Sequence, residues 1–169
     1  TDREMLTALE SITEQDAQGI ILDLRSNPGG LLETVVNIAS FFLEEGVVVN
    51  IGSPRETFTS LEVNPGEFIT DLPVVVLVDS HSASGSEVLA GALQDHGRAY
   101  IAGTRTFGKG SVNILRELKD GSGLYITIAR WLTPGNRIIE GEGIDPDKVL
   151  ELTGDDTVQW ALDYLIDNR

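Results

Sequence analysis

The run Leu72-Pro73-Val74-Val75-Val76-Leu77-Val78 leads straight into Asp79-Ser80-His81-Ser82-Ala83-Ser84-Gly85-Ser86-Glu87. The first stretch offers water no polar side chain, so it predicts a strand covered on both faces, as in a parallel sheet. The second is small and polar and suits a sharp turn from strand into a helix running from about Glu87 to His96. Working outward, Gly19 to Leu24 (GIILDL) reads as a second buried strand. The turn Ser26-Asn27-Pro28-Gly29-Gly30 follows it. A helix is then expected over Leu31 to Glu45, with Leu32, Val35, Val36, Ala39 and Phe42 on one face. Val47 to Ile51 and Ala99 to Ala102 read as further strands. Strand and helix alternate from residue 19 to 102, which predicts βαβ units, a mostly parallel sheet and an α/β fold.

The flanks read less regularly. Thr1 and Glu4 have the spacing of a capping box, and Met5, Leu6, Leu9 and Ile12 continue with helical periodicity. Residues 52 to 71 are turn-rich, with one strand expected near Glu56 to Leu61. Val112 to Leu118 and Leu124 to Arg130 alternate around Lys119-Asp120-Gly121-Ser122-Gly123 and predict a β-hairpin. A last helix is expected over Thr157 to Ile166. With no repeat and no internal linker, residues 1–169 are expected to form a single domain. The abrupt start at a helix cap suggests excision from a longer protein.

Composition narrows the function. The chain has 169 residues, 41% hydrophobic and 23% charged, enough for one globular core and too apolar for a disordered tail. Acidic residues number 27 against 12 basic ones, a net charge of −15. Without a Lys/Arg cluster, nucleic acid is not an expected partner. The acidity repels anionic membrane surfaces, and no apolar run is long enough to span a bilayer. No basic, then apolar leader opens the chain. The absence of cysteine excludes disulfides, thiolate metal sites and a thiol nucleophile. His81 and His96 alone build no metal site, and the carboxylates lack calcium-loop spacing, so no metal and no cofactor is expected.

Sites in open α/β sheets lie beyond the carboxyl ends of strands. Two such ends are unusual here. After GIILDL, Gly29 and Gly30 precede a helix and expose backbone N–H groups able to bind a developing negative charge; the other reading is an ordinary turn. After LPVVVLV, a serine can project its hydroxyl from the strand–helix turn, although serines there more commonly cap helices. Four serines between Ser80 and Ser86 cannot all cap one helix. A serine needs a base. His81 is too near Ser84 in sequence to reach it easily, and His96 lies roughly 15 Å along the next helix. Lys109, in Thr106-Phe107-Gly108-Lys109-Gly110-Ser111, sits between two glycines that allow close packing. Drawn into a cleft and desolvated, it becomes the neutral amine a general base must be; left in solvent, it is an ordinary loop lysine.

Four segments together resemble the carboxyl-terminal processing peptidases, or tail-specific proteases. They are GIILDLRSNPGGLLE, SASGSEVLAGALQDHGRA from Ser82, GTRTFGKGSVN from Gly103 and ARWLTPGNRIIEGEGIDPD from Ala129. They stand in the family's order and cover most of residues 19 to 147. The resemblance implies a Clp-protease/crotonase-like α/β spiral and a Ser–Lys dyad. Ser84 matches the nucleophile and Lys109 the base, which follows it by 25 positions. It implies an oxyanion hole from the N–H of Gly85 and an N–H of the Gly29-Gly30 turn. Asn113 stands where the family commonly has a glutamine that orients the lysine, so its shorter arm is expected to lengthen or lose that bond. No PDZ domain, which the family usually carries, is found in the 169 residues.

The implied function is a serine endopeptidase acting on protein or peptide substrates, with hydrophobic carboxyl-terminal tails as substrate class and an extracytoplasmic location. Homo-oligomerisation is left open. A second reading is a protease-fold binding or scaffold module with little activity. Acyl-CoA chemistry on the related crotonase fold gives FGKG and the serine motif no role.

Overall fold

The computed structural model describes residues 2–53, 56–66 and 68–168. The chain forms α1 (Asp2–Glu14), β1 (Ile20–Asp23), α2 (Leu32–Ala39), β2 (Val47–Ser53), β3 (Glu56–Glu62) and β4 (Val74–Val78). It continues with α3 (Gly85–Asp95), β5 (Tyr100–Gly103), β6 (Ser111–Glu117), β7 (Gly123–Leu132), β8 (Lys148–Val149) and α4 (Asp155–Asp167). The expected capping box at Thr1 lies outside the described residues. The strand expected near Glu56 is β3, and the two-residue β8 is an addition.

β4 organises the core. It pairs in parallel with β1 on one side and β5 on the other, and β8 completes a sheet ordered β1-β4-β5-β8. Alternate β4 side chains point to opposite faces. Val74, Val76 and Val78 join Leu9, Val35, Val88 and Leu93 beneath the first three helices. Val75 and Leu77 join Ala102, Ala161 and Leu165 beneath α4. No β4 residue is more than 4% exposed, as its unbroken apolar sequence requires.

The mostly parallel sheet expected from the alternation accounts for only half of the strands. β2 does not enter it. It pairs antiparallel with β3 and β7, in a second sheet ordered β3-β2-β7-β6, so the expected hairpin is one side of a larger antiparallel sheet. An apolar run records that a strand is buried, not which strand it will meet. α3 lies against both α2 and β2, and every residue from Gly85 to Leu93 is buried. Its small residues suit a helix enclosed all round.

α2 is shorter than expected. The Ser40 hydroxyl returns to the Val36 carbonyl at 2.7 Å, and Phe41 and Phe42 donate to the carbonyls three residues back, of Ile38 and Ala39. This tighter turn directs Phe42 and Leu43 into the core, at 2% and 5% exposure.

Leu77 is fully buried between β5 and α4. Leu77→Ala should lower the unfolding free energy by about 3 kcal/mol in urea titration, through lost transfer energy and a cavity. A loss under about 1 kcal/mol would mean that α4 collapses into the gap and holds the sheet loosely.

Candidate active site

The carboxyl end of β4 and the amino end of α3 meet at Ser84. Its backbone is φ 57°, ψ −118°, a region that non-glycine residues seldom occupy. Such a conformation persists only where its surroundings impose it. From upstream, the buried Ser82 hydroxyl donates to the Leu24 carbonyl at 2.8 Å and accepts from the Asp79 N–H at 2.9 Å. Asp79 accepts N–H groups of Ser26, His81 and Ser82 at 2.9, 2.9 and 3.0 Å. Burial works to raise this carboxyl's pKa, but the donors from Ser26, His81 and Ser82 outweigh it and hold the group below the usual carboxylate range.

From downstream, the clamp is Glu87, fully buried on the first turn of α3. Its Oε2 accepts the Ser84 and Lys109 N–H groups, both at 2.8 Å. Its Oε1 accepts the Thr106 hydroxyl and the Gly108 N–H, both at 2.6 Å. Thr106 Oγ1 in turn accepts the Ile144 N–H at 2.7 Å, and the Phe107 N–H donates to the Ser82 carbonyl at 3.0 Å. One carboxylate thus joins the serine turn to the lysine loop. Reading the sequence for chemistry missed this residue. The signal was present, since Ser84 and Glu87 have the spacing of a helix capping box.

The Gly29-Gly30 turn packs directly behind the serine. A Cβ at Gly29 would lie 2.5 Å from Gly85 N, 2.6 Å from the Ala83 carbonyl and 3.0 Å from Ser84 Cβ, so only glycine fits. Of the expected oxyanion donors, Gly29 is corrected: its N–H is held by Asn27 Oδ1 at 2.9 Å. Gly30 and Gly85 keep their N–H groups free of acceptors among the described residues. They stand close, with Gly30 N 3.0 Å from where a Cβ on Gly85 would be.

Lys109 is placed by its main chain. Gly110 donates to Glu140 Oε2 at 2.8 Å, and a Cβ there would strike the Glu140 backbone. The side chain itself is exposed, and its amine makes no hydrogen bond or ion pair among the described residues. The glycines bring the loop in without burying the amine. Asn113 does not reach it either. Its amide nitrogen donates to Ser111 Oγ at 3.0 Å, and its Oδ1 accepts the Thr127 hydroxyl at 2.7 Å. His81 is exposed beside Ser80, while His96 Nε2 donates to the Val47 carbonyl at 2.8 Å and ties α3 to β2. Among the described residues, no group of three or more His, Cys, Asp or Glu side chains could hold a metal ion.

Residues 1–150 match the profile of peptidase family S41. The chain is 48% identical over 149 residues to a carboxyl-terminal-processing protease of Synechocystis sp., covering 88% of this chain and 35% of that protein. It is 44% identical over 145 residues to carboxyl-terminal-processing peptidase 3, chloroplastic, of Arabidopsis thaliana, covering 85% and 28% respectively. Among solved structures it superposes on the photosystem II D1 C-terminal processing protease with a TM-score of 0.84 at 37% identity, over 94% of this chain and 42% of that one. The chain therefore spans roughly a third of the length of the curated relatives it matches, 35% and 28%.

Glu87→Gln keeps one acceptor oxygen but turns an N–H₂ toward donors that have no other partner. The variant should lose about 3 kcal/mol or more of unfolding free energy. Urea titration measures this, and stability within about 0.5 kcal/mol of the parent would show that the two loops are held by something else.

Proposed function

Because the chain belongs to peptidase family S41, we propose that it is the core of a serine endopeptidase that cleaves protein substrates near their carboxyl termini through a Ser84–Lys109 dyad. The observation that carries this reading is Ser84 itself, held at positive φ between β4 and α3, with the unpaired N–H groups of Gly85 and Gly30 beside it. Ser84 Oγ attacks the scissile carbonyl and passes its proton to the Lys109 amine. The negative charge that develops on the carbonyl oxygen accepts from Gly85 and Gly30, donors already in position and so needing no reorganisation. Lys109 then gives the proton to the leaving amine, and a water, activated by the same lysine, releases the acyl group. Bound substrate displaces water from the cleft around the two side chains.

Residues 1–169 act in this reading as one protease core, with protein or peptide tails as substrates and no cofactor. An extracytoplasmic location, periplasmic or secreted, is part of the same proposal; the Arabidopsis relative is named as chloroplastic. No helix among the described residues is long and apolar enough to cross a membrane. The positions of Lys109 and Asn113 favour a core of low activity by itself, since nothing orients the amine.

On an unfolded protein substrate, Ser84→Ala should lower cleavage by several orders of magnitude, and Lys109→Arg should be as damaging, because arginine stays protonated. His96→Ala should cleave as the parent does. Mass spectrometry of the products measures all three, and an inactive but folded His96→Ala protein would move the base from lysine to histidine. Asn113→Gln adds one methylene toward Lys109 and should raise the rate, by up to roughly tenfold if orientation limits the amine. A lower rate would mean that the longer arm overpacks the site.

A further inference from the structure

The β6–β7 hairpin is exposed on both faces. Ile114, Leu124, Ile126 and Ile128 lie 38% to 48% exposed, and Leu115 and Tyr125 reach 73%. β6 is also an edge: it ends the sheet order β3-β2-β7-β6. The Leu118 N–H donates to the Ser122 carbonyl at 2.7 Å, and bonded and non-bonded pairs alternate from there. Ile114 and Arg116 therefore pair with β7, while Asn113, Leu115 and Glu117 turn their N–H and C=O groups outward. Among the described residues nothing pairs with that edge. Long, apolar, unprotected edges are templates for another strand.

We propose that the outer edge of β6 receives the substrate as an added β-strand, an extended apolar segment of unfolded polypeptide. The inference rests on the peptidase reading above. Continuity favours this occupant. β6 starts at Ser111, two residues beyond Lys109, whose N–H shares Glu87 Oε2 with that of Ser84. A strand lying along Asn113 to Glu117 runs directly toward the lysine loop. Main-chain pairing gives affinity without regard to sequence, and the apolar faces around Leu115 and Tyr125 select uncharged segments. Arg116 and Lys119 offset Glu117 and Asp120, so the edge is locally neutral. A second copy of the chain would bring a net charge of −15 against −15, which opposes self-pairing.

Proline is tolerated where an edge N–H faces outward, because no ladder bond is lost. Leu115→Pro therefore removes a docking donor while leaving the hairpin intact, and Leu115→Thr keeps that donor. Binding of a short fluorescein-labelled Leu/Val/Ala peptide is followed by anisotropy in the Ser84→Ala background, with the thermal midpoint as the folding control. Leu115→Pro should weaken binding by about tenfold or more, and Leu115→Thr by no more than about threefold. Unchanged affinity in a folded Leu115→Pro protein overturns the inference. So does a parent that sediments as a dimer and becomes a monomer on this change, which would make the edge an interface between copies. If Leu115→Pro does not fold, Glu117→Pro repeats the test at the next outward N–H. Labelling of parent Ser84 by a fluorophosphonate keeps the two levels apart. Peptide bound with Ser84 unlabelled overturns the peptidase reading alone, and Ser84 labelled with no peptide bound overturns only the docking edge.

Discussion

A buried carboxylate that must be satisfied governs this molecule. Glu87 is fully buried, and burying it without partners costs several kcal/mol. It is satisfied by donors from Ser84, Thr106, Gly108 and Lys109, which come from two segments separated by the whole of α3 and β5. The serine turn and the lysine loop are therefore coupled: neither can shift without stranding a buried oxygen. The same bond that accepts the Ser84 N–H helps to hold that residue at a φ it would otherwise avoid. Asp79 does related work on the upstream side, gathering N–H groups from the glycine-rich turn and the serine loop.

The two sheets divide the labour. The parallel sheet supplies a rigid floor, its central strand covered on both faces, and delivers the serine at the carboxyl end of β4. The antiparallel sheet leads away from the lysine loop through β6. α3 is buried between them, which suits its small residues Gly85, Ser86, Ala90, Gly91 and Ala92. The backbone of the lysine loop is fixed by Glu87 and by Glu140, while the amine at its tip is left in water. The apolar side chains of the hairpin beside it are exposed as well.

Much was legible in the sequence because burial writes itself into periodicity. The unbroken run Val74–Val78, the alternating hairpin and the closing helix all stand where the pattern places them, within a few residues. The strand–helix turn with its serines and the paired glycines around Lys109 were also readable, since each needs particular residue types. Periodicity says which face is buried and is silent about what buries it. For that reason β2 read as one more parallel strand and is antiparallel, and α2 read six residues past its true end, although Ser40 and the two phenylalanines close it at Ala39.

What the chain alone determined is the set of elements, the two loops that carry the candidate dyad, and a net charge of −15. What the tertiary structure decided is how those loops are joined. Only in three dimensions does Glu87 pass from a cap on its own helix to the common acceptor of two loops. There too the Gly29 N–H is spent on Asn27 while those of Gly30 and Gly85 stay free, and the Asn113 amide is spent on Ser111 and Thr127. Each of these is a hydrogen bond whose partner is set by packing between segments, and spacing along the chain carries no record of which donor will meet which acceptor.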